Sequence, residues 1–260
     1  GPRRRGPRAR RRGRRGARVS RLVMGIQPVR ELLRARPGDV RRVRALPEEG
    51  KVAGLCKLAI DQGVVVETVT RAELDRLTKG GRHQGVVADA KDLPLFDKRE
   101  LLARLAEEER ATVVLLDGVV DPQNFGAVLR SAVALGAPWV VFAEHAAAPL
   151  SAATFRASAG AVEHAKLARV RALPDLVREL RELDFDVVLL DPEGEHELSQ
   201  VRLAARVAVV VGAEEKGARP AVRKACSHRC RLAMKGPLGS LNASVATAIA
   251  LYEVARQARD

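Results

Sequence analysis

From Thr112 onward the sequence repeats one unit: a short unbroken apolar run, a polar turn, then a stretch of helical period. The apolar runs Val113–Asp117, Trp139–Ala143, Val187–Asp191, Val207–Gly212 and Arg231–Met234 predict strands. Helices are expected at Phe125–Leu135, Pro174–Leu183, Ala218–Ala225 and Ala243–Gln257. Strands that are apolar on both faces and alternate with helices require a parallel sheet covered on both sides. An α/β fold of this kind binds its ligands beyond the carboxyl ends of the strands. Three segments therefore draw attention: Asp117–Arg130, Gly212–Gly217 and Met234–Ser244.

The preceding residues have a different texture. Leu22 to Ala90 reads as a small mixed α/β unit. Val29, Leu32 and Leu33 form a helical stripe, helices are expected at Lys51–Gln62 and Arg71–Leu77, and strands at Gly63–Glu67 and Gly85–Ala88. Lys91–Asp97 reads as a linker, and the charged helix Lys98–Arg110 leads into the second part. The formal charge is +14, but residues 1–21 hold eleven arginines and no acid, so the remaining 239 residues carry only +3. This Gly/Pro/Arg tail has almost nothing to bury and is expected to be disordered. It reads as a phosphate-binding arm, with an organelle import signal as the competing reading.

Several functions are disfavoured. No G-x-G-x-x-G follows the first strand of either part, no G-x-x-x-x-G-K-[ST] occurs, and no serine sits in a G-x-S-x-G turn. Aromatic residues are only 3% of the chain, too few for base-stacking platforms. No uncharged stretch reaches the ~18 residues of a membrane span. Three cysteines cannot build a disulfide framework, and a reducing compartment fits them best. Cys226, His228 and Cys230 raise the question of zinc. Alternate strand residues point to opposite faces, however, and no second Cys/His pair lies nearby, so they read as ordinary side chains.

In the first segment, Asp121-Pro122 starts a helix, which places Asn124 at its mouth and Arg130 about two turns in. Asn124 as a cap and Arg130 as a surface residue is one reading; a site is the other. In the second, Gly212-Ala-Glu-Glu-Lys-Gly217 has two adjacent carboxylates. They make a poor polyphosphate cradle and suit a ligand without phosphates, a cationic one included; a plain strand-to-helix turn remains open. In the third, Ser240, Asn242 and Ser244 alternate before a helix, more than capping requires. That last helix is apolar nearly all round, so a second subunit is its natural cover.

Taken in order, D-G-V-x-D-P-x-N-x-G-x-x-x-R-x-A, V-G-x-E-x-x-G and S-L-N-x-S-V-A resemble the SPOUT superfamily of methyltransferases. Within it they match the TrmH-like RNA ribose 2′-O-methyltransferases, and best those acting on a guanosine of large-subunit rRNA. Met24-Gly25-Ile26 and His83-Gln84-Gly85-Val86 resemble the opening and closing of that family's L30e-like RNA-binding domain, and Ala157–Ala161 resembles its middle segment. The resemblance implies a deep trefoil knot in the parallel-sheet domain (111–260), preceded by the RNA-binding domain (22–90) and a connector (91–110). It implies S-adenosyl-L-methionine, no metal, an rRNA substrate, and a homodimer formed through the knotted domain. The alternatives are a tRNA substrate, or a catalytically inactive RNA-binding protein on the same fold. Asn124, Arg130, Glu214, Ser240 and Asn242 would be catalytic. Backbone around Gly212, Leu232 and Leu241, with Ala213, Met234 and Ser244, would hold the cofactor. The implied location is the bacterial cytoplasm, or the mitochondrion if the tail is an import signal.

Overall fold

The computed structural model describes residues 20–46, 50–144 and 150–258. Residues 1–19 of the arginine-rich tail lie outside the described residues, but Ser20 and Arg21 already belong to the first strand. The N-terminal unit runs β1 (Ser20–Met24), α1 (Ile26–Ala35), β2 (Val40–Ala45), α2 (Lys51–Asp61), β3 (Val65–Thr68), α3 (Arg71–Thr78) and β4 (Val86–Lys91). Its sheet has the order β1-β4-β2-β3, with β4 antiparallel to both neighbours and β3 parallel to β2. Val29, Leu32 and Leu33 of α1 are fully buried against Val43, Val86 and Ala88, as the apolar stripe requires. Thr70 opens α3 with a reciprocal capping box to Glu73, an arrangement worth about 1 kcal/mol.

The second unit comprises β5 (Leu95–Phe96), α4 (Lys98–Ala106), β6 (Ala111–Asp117), α5 (Pro122–Ala134), β7 (Trp139–Ala143), α6 (Ala152–Ala157), β8 (Lys166–Val170) and α7 (Leu173–Glu182). It continues through β9 (Asp186–Leu190), β10 (His196–Glu197), β11 (Arg206–Gly212), α8 (Pro220–Ala225), β12 (His228–Arg231) and α9 (Ala243–Gln257). The eight strands are parallel throughout, in the order β10-β12-β9-β11-β6-β7-β8-β5. One core layer, around Trp139, Leu176 and Val210, fills one face; a second, around Phe125, Val140 and Leu251, fills the other. The expected sheet covered on both sides is present.

Three differences from the sequence reading have physical causes. The segment expected to be a linker supplies β5, which adds an edge strand to β8; Phe96 meets the edge of Trp139 at 5.1 Å. Strands β2 and β8 escape the apolar-run criterion because Arg41, Arg42, Arg44, Lys166 and Arg169 interrupt them. The strand expected at Arg231–Met234 lies three residues earlier, at His228–Arg231. There Arg229 pairs with Asp191 and Arg231 with Glu197, so the run is paired by charge as well as by packing. Leu232 and Met234 consequently belong to the loop beyond β12.

Strand order reverses between β6 and β11: β7 and β8 extend one way, β9 and β12 the other. Gly212 of β11 is in register with Asp117 of β6, so the two strands end side by side at the topological switch point.

Candidate active site

Two loops leave the sheet at that point. The first passes through Gly118, whose φ of +88° suits glycine, and enters α5 at Asp121, whose carboxylate caps the Asn124 amide at 2.8 Å. The second is the turn from Gly212 to Gly217, closed by paired backbone hydrogen bonds between Ala213 and Gly217. The turn is tight: a Cβ at Gly212 would lie 2.3 Å from the Ala218 nitrogen and from the Gly217 carbonyl carbon. Asp117, buried at the end of β6, accepts hydrogen bonds from the Arg219 backbone at 2.7 Å and its Nε at 2.6 Å, which ties the far end of the turn to the neighbouring strand.

Above the strand ends, three side chains from three segments lock together. Asn124 Nδ2 donates to Glu214 Oε1 at 2.6 Å. Asn242 Nδ2 donates to Asn124 Oδ1 at 2.9 Å and to Glu214 Oε1 at 3.1 Å. Asn242 Oδ1 in turn accepts from the Ser244 amide at 2.9 Å, its hydroxyl at 2.6 Å and the Val245 amide at 3.4 Å, so the same side chain caps α9. Asn124 is 8% exposed, and its amide is fully oriented by these neighbours. The three expected segments therefore do converge.

Beside this cluster lies a cavity of about 590 Å³. It is lined by Gly212, Ala213, Leu232, Met234, Ser240 and Leu241, together with the β9 end at Leu190 and Asp191. Five of the six expected cofactor residues line it. The sixth, Ser244, does not; it holds Asn242 instead. Glu214 anchors the two asparagines. Four carboxylates (Asp191, Glu193, Glu214, Glu215) face two cations (Lys216, Arg223) around the wall, so the lining is net negative. Asp191, Glu193 and Arg223 were missed from sequence. The signal was there for Asp191, an acid ending a buried strand as Asp117 does.

Arg130 stands apart. It lies six residues beyond Asn124 on α5, about 9 Å along the axis and about 240° round it, and is exposed. It does not line the cavity.

The cysteines do not gather. Cys226 packs against one core layer and Cys230 lies in the other, on opposite faces of the sheet. Burial, with the Asp117 charge adding to it, pushes the Cys226 thiol up to about 12, and burial raises that of Cys230. Among the described residues no three His, Cys, Asp or Glu side chains form a metal-ligand group, and no helix is long and apolar enough to cross a membrane.

The profile of the SpoU rRNA Methylase family matches residues 111–252, seven of the eight strands of the sheet with the three converging loops. The chain belongs to the SpoU rRNA methylase family. A second profile, described as RNA 2′-O ribose methyltransferase substrate binding, matches residues 22–96. Among SpoU relatives, the 23S rRNA (guanosine-2′-O-)-methyltransferases RlmB of Salmonella typhimurium and Escherichia coli are each 35% identical over 241 residues, covering 92% of this chain and 99% of the relative. The SpoU methyltransferase AviRb of Streptomyces viridochromogenes, solved in complex with AdoMet, superposes with a TM-score of 0.74 at 26% identity, covering 92% of this chain and 90% of that one.

The cavity suits that cofactor. S-adenosylmethionine carries a sulfonium and no phosphate, and the wall combines net negative charge with apolar Leu232, Met234 and Leu241. Gly212→Ala should disrupt this site first. Its Cβ meets backbone that cannot rotate away, and overpacking of this kind typically costs about 1–3 kcal/mol. Differential scanning calorimetry should show a lowered Tm, and titration with S-adenosylmethionine a weakened Kd.

Proposed function

We propose that this protein transfers a methyl group from S-adenosylmethionine to the ribose 2′-hydroxyl of a guanosine in 23S rRNA. The observation that carries the reading is the Asn124–Glu214–Asn242 cluster, set at the rim of an acid-walled cavity where β6 and β11 end. The bound cofactor would supply an electrophilic methyl group on a positively charged sulfur. Backbone of Gly212, Ala213, Leu232 and Leu241 would hold it, with Met234 and Ser240 alongside. A ribose hydroxyl is a weak nucleophile that must lose its proton as the new bond forms, so positioning supplies much of the acceleration. Asn124, held on both amide atoms, orients the substrate side. Arg130 stabilises the developing alkoxide and an adjacent phosphate; a guanidinium is a permanent cation, suited to that role and not to acting as the base.

For Arg130 to act there, a second copy must deliver it. Val245, Ile249 and Tyr252 form an exposed stripe on α9, at spacings of four and three, with Tyr252 63% exposed. An apolar stripe of this kind on a well-formed helix supports a homodimer packed through α9, as the family resemblance implies. Ile249→Glu should give a monomer by analytical ultracentrifugation and abolish methyl transfer while leaving Tm within a few degrees.

The return of α9 onto α5 and β11 supports reading residues 111–260 as the knotted SPOUT domain. The four-stranded unit at 22–90 is read as L30e-like and RNA-binding, and 91–110 as the connector. The relatives are bacterial, which supports the bacterial cytoplasm as the location and lends nothing to the import-signal reading of the tail. The deciding experiment maps 2′-O-methyl groups in 23S rRNA with and without the protein. One guanosine should gain the mark; a mark found only in tRNA, or nowhere, would overturn the reading.

A further inference from the structure

The middle segment, Ala157–Ala161, lines no part of the cavity, yet the residues around it make the tightest contact between the two units. Glu163, in the short turn that follows, is 1% exposed at its side chain. It accepts hydrogen bonds from Arg21 Nη1 at 2.6 Å and Nη2 at 2.9 Å, both from β1, and from Arg36 Nη2 at 2.5 Å at the end of α1. The Arg21 guanidinium also lies 5.2 Å from the Phe155 ring centre. One carboxylate of the catalytic unit thus gathers two arginines of the N-terminal unit. A Cβ on Gly160 would sit 2.9 Å from Glu31 Cβ and 3.1 Å from Pro28 Cα, so the two backbones touch there. His164 Nε2 lies 2.9 Å from Glu31 Oε2 on the same seam.

The seam continues to the site. A Cβ on Gly126 of α5 would lie 2.4 Å from Ala157 Cβ and 2.8 Å from the Ser158 nitrogen, so α6 is pressed onto the helix that carries Asn124 and Arg130. We propose that Glu163 is a positioning residue: it clamps the N-terminal unit at one orientation to α5 and so fixes where RNA held by that unit meets the cavity. This rests on the RNA methyltransferase reading. The ion cluster suits a fixed orientation, because its partners are buried and directional. Three of its N–H groups, Arg21 Nε, Arg36 Nε and Arg36 Nη1, are buried without a hydrogen-bond partner. Removing the carboxylate would leave Arg21 without its ion pair, facing an Arg36 held only by Asp39 at 3.6 Å.

The test compares Glu163→Gln and Arg21→Met with the parent in the full-length protein. Each should raise KM for 23S rRNA by roughly tenfold or more, with kcat changed less than about threefold and cofactor affinity by calorimetry unchanged. Hydrogen exchange should accelerate in both residues 26–36 and residues 158–164, while β6 and β11 stay protected. Arg21→Met lies outside the catalytic unit and decides the matter if Glu163→Gln does not fold. An RNA KM unchanged in both variants overturns the clamp, as does cofactor affinity falling in step with RNA affinity. If the parent itself does not methylate 23S rRNA, the functional reading fails, and the exchange pattern alone then decides: acceleration confined to the seam upholds the clamp, none overturns it.

Discussion

Arg130→Ala should lower methyl transfer to 23S rRNA by about 10²–10³-fold while leaving S-adenosylmethionine affinity within about twofold of the parent, the loss expected when a donor to developing negative charge is removed. The side chain is exposed on α5 and lines no part of the cavity, so its deletion takes nothing from cofactor binding. Stability should change by no more than about 0.5 kcal/mol, as at other surface positions. Single-turnover kinetics and isothermal calorimetry on the same preparation separate the quantities. Parallel loss of both would show that Arg130 supports the fold. Mixing the variant with a cavity-defective subunit should restore part of the activity if the arginine acts across the proposed dimer.

Glu214→Ala should cost about 10²-fold in kcat, the penalty associated with misplacing a positioned group by about 1 Å. Glu214 Oε1 receives both asparagine amides, so its removal frees two side chains at once. Asn124 is nearly buried, and an amide left there without its acceptor costs about 1–3 kcal/mol, which drives it to rearrange. Glu214→Gln keeps an oxygen at the same place and should lose less than about tenfold. The ratio between the two variants is the measurement: equal losses would mean that the carboxylate charge, and not the anchoring of Asn124 and Asn242, matters.

How much of this was legible in the sequence depends on distance along the chain. The parallel sheet could be read because β6, β7, β9 and β11 are apolar on both faces, and α9 because its start carries Asn242 and its apolar run is long. Strands β2 and β8 could not, because arginine and lysine at their exposed and half-buried positions break the run although the buried ones stay apolar. The three loops were found because they follow strand ends. Their interlocking was not, since Asn124 and Glu214 lie 90 residues apart and only the shared sheet brings them together. The separation of Arg130 from Asn124 was in principle visible, for six helical residues place two side chains on different faces. Glu163 carried no local signal at all, its partners lying 142 and 127 residues away.

Asn242 does two jobs with opposite ends of one amide: its oxygen starts a helix and its nitrogen reaches the carboxylate of another loop. Serine, threonine and aspartate would begin α9 as well, yet none presents an N–H at the same time. This position has therefore lost the tolerance that helix starts ordinarily enjoy. The last helix cannot slide or fray at its first turn without unfastening the rim above the strand ends.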